Sequence, residues 1–384
     1  MSTKTPTARI LRGVAGVYLL DNPASGFHDW AVPRGLFRKQ GLKPLPGDLV
    51  NYESSGDPDI PYVISRILER KNVLQRPPAA NIDLLLITSA AVAPKTDYFF
   101  IDRMLAYAVK NHIEPALILN KGDLEGATEE KRRFLDNYLP SGFPLFFTAK
   151  GQDPQDLKIA ISGKFAVFCG KSGVGKSSLM NRLLGRTLLE TGSLNERGKH
   201  GRQTTRSIEL YAFEGAWLAD TPGFQSLDAQ LLGMTGTDLV LAYPEMAEAA
   251  THCRYRDCRH LGEEGCAVDM ANMLPERLER YRQLRRELDA LKPRYSEGTA
   301  GIPAGRAYSV SSETRSRAPS SEFAITPVAK GASCSQCSSI RSRTEERACL
   351  RREGAAAEQA SDNALAQNFA ALTIARVGGP AWAL

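Results

Sequence analysis

Between residues 83 and 220 the chain alternates short apolar runs with longer amphipathic stretches. The runs are "DLLLIT" (83–88), "PALILN" (115–120), "FPLFFT" (143–148), "KFAVFC" (164–169) and "AWLAD" (216–220), and helical patterns fall between them near 98–111, 124–138, 154–162 and 176–184. Strands that are apolar at successive positions are buried on both faces, so the pattern predicts a mostly parallel α/β sheet covered by helices. In such sheets ligands gather at the carboxyl ends of the strands.

The flanking regions have other rhythms. Residues 5–75 carry short β-rich runs, "RILRGVAGVYLL", "DWAVPRGLFRK", "GDLVNYES" and "YVISRILER", broken by Gly, Pro and Asp, which predicts a small barrel of OB type. "LQRPPAANID" (74–83) reads as a linker, because paired prolines cannot continue a helix or a central strand. In "PERLERYRQLRRELDALK" (275–292) Leu278, Tyr281, Leu284, Leu288 and Leu291 share one helical face; the expectation is a helix packed on its own domain with a solvated basic face. Residues 296–384 lack sustained periodicity until a weak apolar run near 364–376 and are expected to be a disordered or peripheral tail. The predicted layout is thus 1–76, 77–234, 235–295 and the tail 296–384.

Composition adds limits. The chain has 384 residues and 42% hydrophobic content, enough for two or three domains. No apolar stretch reaches the roughly 20 residues of a membrane helix and no cleavable signal precedes them, so a cytoplasmic location without membrane contact is expected. The net charge is +6, and residues 1–76 hold 11 Lys/Arg against 7 Asp/Glu, which marks the N-terminal region as a polyanion-facing surface. Seven cysteines, three of them crowded between 253 and 266, point to a metal site rather than a disulfide framework.

The chemistry-bearing phrases end predicted strands. "GKSGVGKS" (170–177) fits G-x-x-x-x-G-K-[ST] after one strand and before a helix. In such a loop Gly170, Lys171, Ser172, Gly173, Val174 and Gly175 let the backbone wrap a phosphate, Lys176 reaches the β/γ-phosphates, Ser177 ligates Mg²⁺, and Ser178 continues the helix N-terminus. "NKGD" supplies Asn120, Lys121 and Asp123. The Asp123 carboxylate can accept from both N–H groups on guanine's Watson–Crick edge, whereas adenine would leave it poorly paired; alone, Asp123 could equally cap the following helix. "FTAK" sets Thr148, Ala149 and Lys150 beside the base. "DTPGF" sets Asp220 in the Mg²⁺ shell and Gly223 at the γ-phosphate. The base-reading phrase precedes the phosphate loop, the reverse of the ordinary order. Binding requires only that the loops converge at one sheet edge, so a circular permutation satisfies it when the old termini lie close.

"CRYRDCRHLGEEGC" places Cys253, Cys258, His260 and Cys266 as a closed Cys₃His set, the donor pattern of structural Zn²⁺. Cys334, Cys337 and Cys349 offer three thiols and no histidine, and a second metal site there is the minority reading.

Together, "KPLPGDLV", "RPPAANID", "NKGD", "GKSGVGKSS", "DTPGF" and the Cys-x₄-Cys-x-His-x₅-Cys spacing resemble, in order and over about residues 8–295, the bacterial ribosome small-subunit-dependent GTPases. The resemblance implies an N-terminal OB barrel, a circularly permuted P-loop α/β GTPase domain and a mostly helical C-terminal zinc domain. It also implies a monomer that hydrolyses GTP to GDP under stimulation by the 30S subunit, acts late in 30S maturation, and touches 16S rRNA through the barrel and zinc domains. One departure concerns the first switch. The family pattern has a histidine, proposed to position the attacking water, immediately before two threonines; here "ERGKHGRQTTR" offers either His200 or Gln203 for that role, with Thr204 and Thr205 as the Mg²⁺ and γ-phosphate contacts. A GTP-gated RNA-binding factor with incidental hydrolysis is the rival reading.

Overall fold

The computed structural model describes residues 6–22, 26–75, 77–185, 208–220, 234–270 and 273–290. The expected tail, the first switch and Leu291 lie outside them.

The N-terminal strands β1 (Thr7–Val14), β2 (Val17–Asn22), β3 (Phe27–Pro33), β4 (Leu49–Ser54) and β5 (Tyr62–Ile67) close into a barrel in the order β1-β2-β3-β5-β4. Four pairings are antiparallel and β3–β5 is parallel. Ile10, Leu20, Ala31, Val50 and Ile64 fill its centre. The run read as one segment, "RILRGVAGVYLL", is a hairpin: Ala15 and Gly16 both have positive φ, the conformation of a tight two-residue turn whose twist matches its strands. "GLFRK" is a helix, α1 (Gly35–Lys39), rather than part of a strand.

The expected linker 74–83 is corrected to a structured hairpin. β6 (Val73–Gln75) pairs β7 (Pro78–Ala80) in a two-stranded ribbon. Its proline is tolerated because it stands at the first residue of a strand with only one neighbour.

The central sheet has the order β10-β9-β8-β11-β13-β12, built from β8 (Leu84–Ala90), β9 (Glu114–Asn120), β10 (Leu145–Phe147), β11 (Phe165–Cys169), β12 (Tyr211–Phe213) and β13 (Ala216–Asp220). All neighbours are parallel except β12, an antiparallel edge strand that the apolar runs did not reveal. Every residue of β8 and β11 is buried, as their unbroken apolar character requires. Helices α2 (Tyr98–Lys110), α3 (Ala127–Tyr138), α4 (Gln155–Ile161) and α5 (Lys176–Leu184) follow the predicted positions. Leu157, Ile161, Leu179, Met180 and Leu183 of α4 and α5 pack on Leu84, Leu86, Ala166, Phe168 and Leu218 of the strands.

Beyond the sheet come α6 (Gly236–Val240), α7 (Ala247–Ala250) and α8 (Pro275–Ala290), with a short 3-10 turn at Val268–Met270 between α7 and α8. Among the described residues no helix is long and apolar enough to cross a membrane.

Candidate functional site

The carboxyl ends of β8, β9, β10, β11 and β13 bring the sequence phrases together. Parallel pairing aligns Phe168 with Asp220, so the loop after β11 opens beside the end of β13. That loop, residues 170–175, needs glycine at two close approaches. A Cβ on Gly170 would lie 2.2 Å from the Thr88 carbonyl oxygen, and one on Gly175 2.4 Å from Asn120 Nδ2; both residues also have positive φ. The loop runs straight into α5, whose first N–H groups lack intrahelical partners and face the loop.

Lys176 Nζ folds back into the loop, donating to the carbonyls of Gly170 (2.8 Å) and Lys171 (2.9 Å). Burial pushes its pKa down, against the pull of the Asp220 carboxylate. Ser177 Oγ donates to Asp220 Oδ2 at 3.2 Å, so a hydroxyl and a carboxylate 43 residues apart meet beside the loop. A helix N-terminus, a lysine ammonium and this oxygen pair suit a phosphate chain with a hard divalent cation. Lys171 Nζ pairs with Asp97 at 2.5 Å, and Asp97 also caps α2 by accepting from the Phe100 N–H at 2.9 Å.

The base-reading phrases are knitted to each other and to the loop. Asn120 Nδ2 donates to the Val174 carbonyl (3.0 Å), and its Oδ1 accepts from Thr148 Oγ1 (2.8 Å). The Gly122 N–H donates to the Thr148 carbonyl at 3.0 Å, and the Lys150 N–H to Asp123 Oδ1 at 2.9 Å. Lys121, at φ 64°, donates from Nζ to the Ala93 carbonyl. Asp123 does not cap α3, whose N-cap is Gly126. Its carboxyl pKa is held below the ordinary value, chiefly by the Lys150 N–H and its own N–H, with the charges of Lys150 and Arg182 adding to the effect.

The second cluster is local in sequence. One ligand atom from each of Cys253, Cys258, His260 and Cys266 falls within 4.8 Å of the others. His260 Nδ1 faces Cys253 Sγ at 3.6 Å and Cys266 Sγ at 3.7 Å. Three sulfurs and one imidazole at this spacing fit a tetrahedral zinc ion with no open position. The chain turns sharply to do this: His260 has φ 60°, and the Glu263 carboxylate accepts from the N–H groups of Arg259 (3.1 Å) and Leu261 (2.8 Å). From α8, Tyr281 Oη donates to the Arg259 carbonyl (3.1 Å) and Arg282 Nε to that of His260 (3.3 Å).

The expectation of a solvated basic face on α8 is overturned. Leu278, Tyr281, Leu284 and Leu288 are buried as predicted, yet so is Arg277, at 0% exposure. Its guanidinium lies between the rings of Tyr138 and Tyr243, 4.7 and 4.5 Å from their centres, and donates to Asp102 Oδ1 at 2.6 Å and to Glu245. Arg280 Nε donates to Asp102 Oδ2 at 2.6 Å, and Tyr138 Oη to Asp102 Oδ1 at 2.9 Å. Burial opposes the charge of Arg277, but the facing carboxylates of Asp102 and Glu245 more than offset it, so its pKa is raised. The sequence carried one signal for this cluster, the lone acid in the apolar stretch "YFFIDRMLAYAV".

His200, Gln203, Thr204, Thr205, Gly223, Cys334, Cys337 and Cys349 lie outside the described residues.

Residues 67–230 match the family model described as RsgA GTPase. The small ribosomal subunit biogenesis GTPase RsgA of Latilactobacillus sakei is 34% identical over 300 residues, covering 76% of this chain and 99% of that protein. The protein of the same name from Lactococcus lactis is 33% identical over 75% of this chain and 96% of its own length. Among solved structures, YloQ, described as a circularly permuted GTPase, superposes with a TM-score of 0.62 at 29% identity, covering 76% of this chain and 98% of that one. YjeQ from Thermotoga maritima gives 0.62 at 28% identity over 75% and 99%.

Proposed function

Since the chain belongs to the RsgA GTPase family and is a circularly permuted, GTP-hydrolysing enzyme, we propose that it acts late in small ribosomal subunit maturation, with hydrolysis stimulated by the 30S particle. The observation that carries the reading is the meeting of Ser177 and Asp220 beside a phosphate loop whose Gly175 backs directly onto Asn120 of the base-reading phrase. The names of the relatives supply the ribosomal role.

On this reading the N–H groups of residues 170–178 and the α5 N-terminus hold the phosphates of GTP. Lys176 exchanges the carbonyls of Gly170 and Lys171 for β/γ-phosphate oxygens. Ser177 and Asp220 hold Mg²⁺, which when bound neutralises charge developing on the transferred phosphoryl group. Asp123 reads the guanine N–H groups, with Asn120, Lys121, Thr148, Ala149 and Lys150 shaping the base pocket. His200 or Gln203 orients the attacking water, Thr204 and Thr205 complete the Mg²⁺ and γ-phosphate contacts, and Gly223 senses the γ-phosphate. The products are GDP and phosphate.

Cys253, Cys258, His260 and Cys266 hold a structural zinc ion. The 1–76 barrel and the 235–295 zinc module flank the 77–234 GTPase domain and contact 16S rRNA. Paired cations and rings support that role at both ends: Arg12 lies over Trp30 at 5.5 Å and Arg254 over Tyr255 at 5.4 Å. We place the protein in the cytoplasm, as a monomer.

The test is GTP turnover with and without purified 30S subunits. Strong stimulation by 30S and none by 50S is expected; equal rates with and without 30S would overturn the reading.

A further inference from the structure

Arg182 stands on the second turn of α5, the helix opened by the phosphate loop, yet its guanidinium reaches across to the base-reading phrase. Its Nη1 donates to the Ala149 carbonyl, which also accepts from the Gln152 N–H at 3.3 Å. The N–H of that same peptide unit, on Lys150, donates to Asp123 Oδ1 at 2.9 Å. A peptide unit is planar and trans, with its C=O and N–H pointing in opposite directions. Holding the oxygen from one side therefore fixes where the N–H points on the other, and the N–H in turn fixes the Asp123 carboxylate.

The rest of the guanidinium argues that this geometry has a purpose. Its Nε and Nη2 are buried with no hydrogen-bond partner among the described residues. Leaving buried donors unpaired is unfavourable, and such exceptions gather where a side chain is held for position. The charges it faces are the carboxylates of Asp123 and Asp153.

We propose that Arg182 is a positioning residue for guanine specificity, aiming the Asp123 carboxylate through the Ala149–Lys150 peptide from the helix that begins at the phosphate loop. The inference rests on the reading of Asp123 as the guanine-reading carboxylate. It makes base selection depend on a helix whose other end faces the phosphates.

The experiment compares steady-state hydrolysis of GTP and ITP by the full chain and its Arg182→Ala and Arg182→Lys variants. ITP lacks the exocyclic amino group, so it forgoes one of the two bonds Asp123 accepts. In Arg182→Ala the KM for GTP rises about tenfold, as expected for one charge-assisted hydrogen bond. Its kcat stays within about twofold, the KM for ITP changes less, and the preference for GTP shrinks accordingly. Arg182→Lys, which keeps a charged donor, recovers part of the preference. An Arg182→Ala variant with unchanged GTP-over-ITP preference, or one in which turnover of both nucleotides falls alike, would overturn the proposal. A wild-type chain without preference for GTP would instead count against the reading of Asp123.

Discussion

The barrel and the zinc-ligand region are joined to the central sheet by different means. At the barrel the junction is mostly main chain, with one partly exposed ion pair, Arg12 to Glu209 at 3.0 Å. The Ala80 N–H, in the ribbon that precedes β8, donates to the Pro46 carbonyl (2.9 Å), and the Leu210 N–H, just before β12, to that of Leu11 (3.0 Å). Asn81 Nδ2 adds a bond to the Gly47 carbonyl at 3.1 Å. At the other end the junction is a buried cluster of charges, with Asp102 of α2 gathering Arg277 and Arg280 of α8 while Glu245 takes the remaining side of Arg277. The first junction depends on a missing side chain, since a Cβ on Gly47 would lie 2.1 Å from the Ala80 carbonyl oxygen. The second depends on every charge having its complement, because desolvated ions are tolerated only when paired. Two attachments to one sheet thus fail in different ways.

On the proposed reading of the Cys₃His cluster as a zinc site, removing the metal should have the largest effect and would sharpen the contrast. Structural zinc sites in small modules contribute about 10 kcal/mol or more to folding. Chelation, or Cys258→Ser, is expected to abolish the bound zinc and to free the carbonyls of Arg259 and His260 from Tyr281 and Arg282. Hydrogen exchange along α8 should then accelerate while β1 and β4 keep their protection. Unchanged protection of α8 would mean that the ion cluster holds the helix without the metal.

Breaking the cluster itself comes next. Asp102→Ala leaves Arg277 and Arg280 facing an apolar gap, and removal of one partner from a buried pair costs about 3–5 kcal/mol. Urea denaturation should show a loss of that size, with Asp102→Ala and Arg277→Ala together costing less than their sum. Additive effects would show that the two groups act independently.

The smallest of the three losses is expected at the barrel. Gly47→Ala adds a side chain at φ 89° against a backbone oxygen, and such backbone strain costs roughly 1–3 kcal/mol. Thermal melts of the whole chain should fall accordingly, and GTP turnover per folded molecule should stay unchanged. A variant as stable as wild type would show that the barrel junction shifts to absorb the methyl group.

Much of the fold was legible because it is periodic. Unbroken apolar runs marked β8, β9, β10, β11 and β13, the intervening patterns marked α2 to α5, and the β-rich N-terminal runs marked the barrel. The turn at Ala15–Gly16 inside one such run was missed, since alternation continues on both sides of it. The 74–83 segment was misread for a different reason: proline excludes a central strand, but a two-stranded ribbon has no centre. Strand β12 is an edge strand whose middle residue, Ala212, is small and exposed, so it lacks the unbroken run of large apolar side chains that marked the equally short β10.

The candidate site divides the same way. The sequence by itself determined the phosphate loop and the cysteine–histidine cluster, because their donors lie within one turn or loop and local spacing sets their geometry. Only the tertiary structure decided which distant groups meet: Ser177 with Asp220, Arg182 with the peptide that holds Asp123, and Arg277 with Asp102, 175 residues away. An arginine among charged neighbours on a helix reads as solvated, since burial of a lone charge is unfavourable by several kcal/mol. Strand order and helix docking brought carboxylates to Arg277 and reversed that balance, and no pattern along α8 alone encodes where those carboxylates stand.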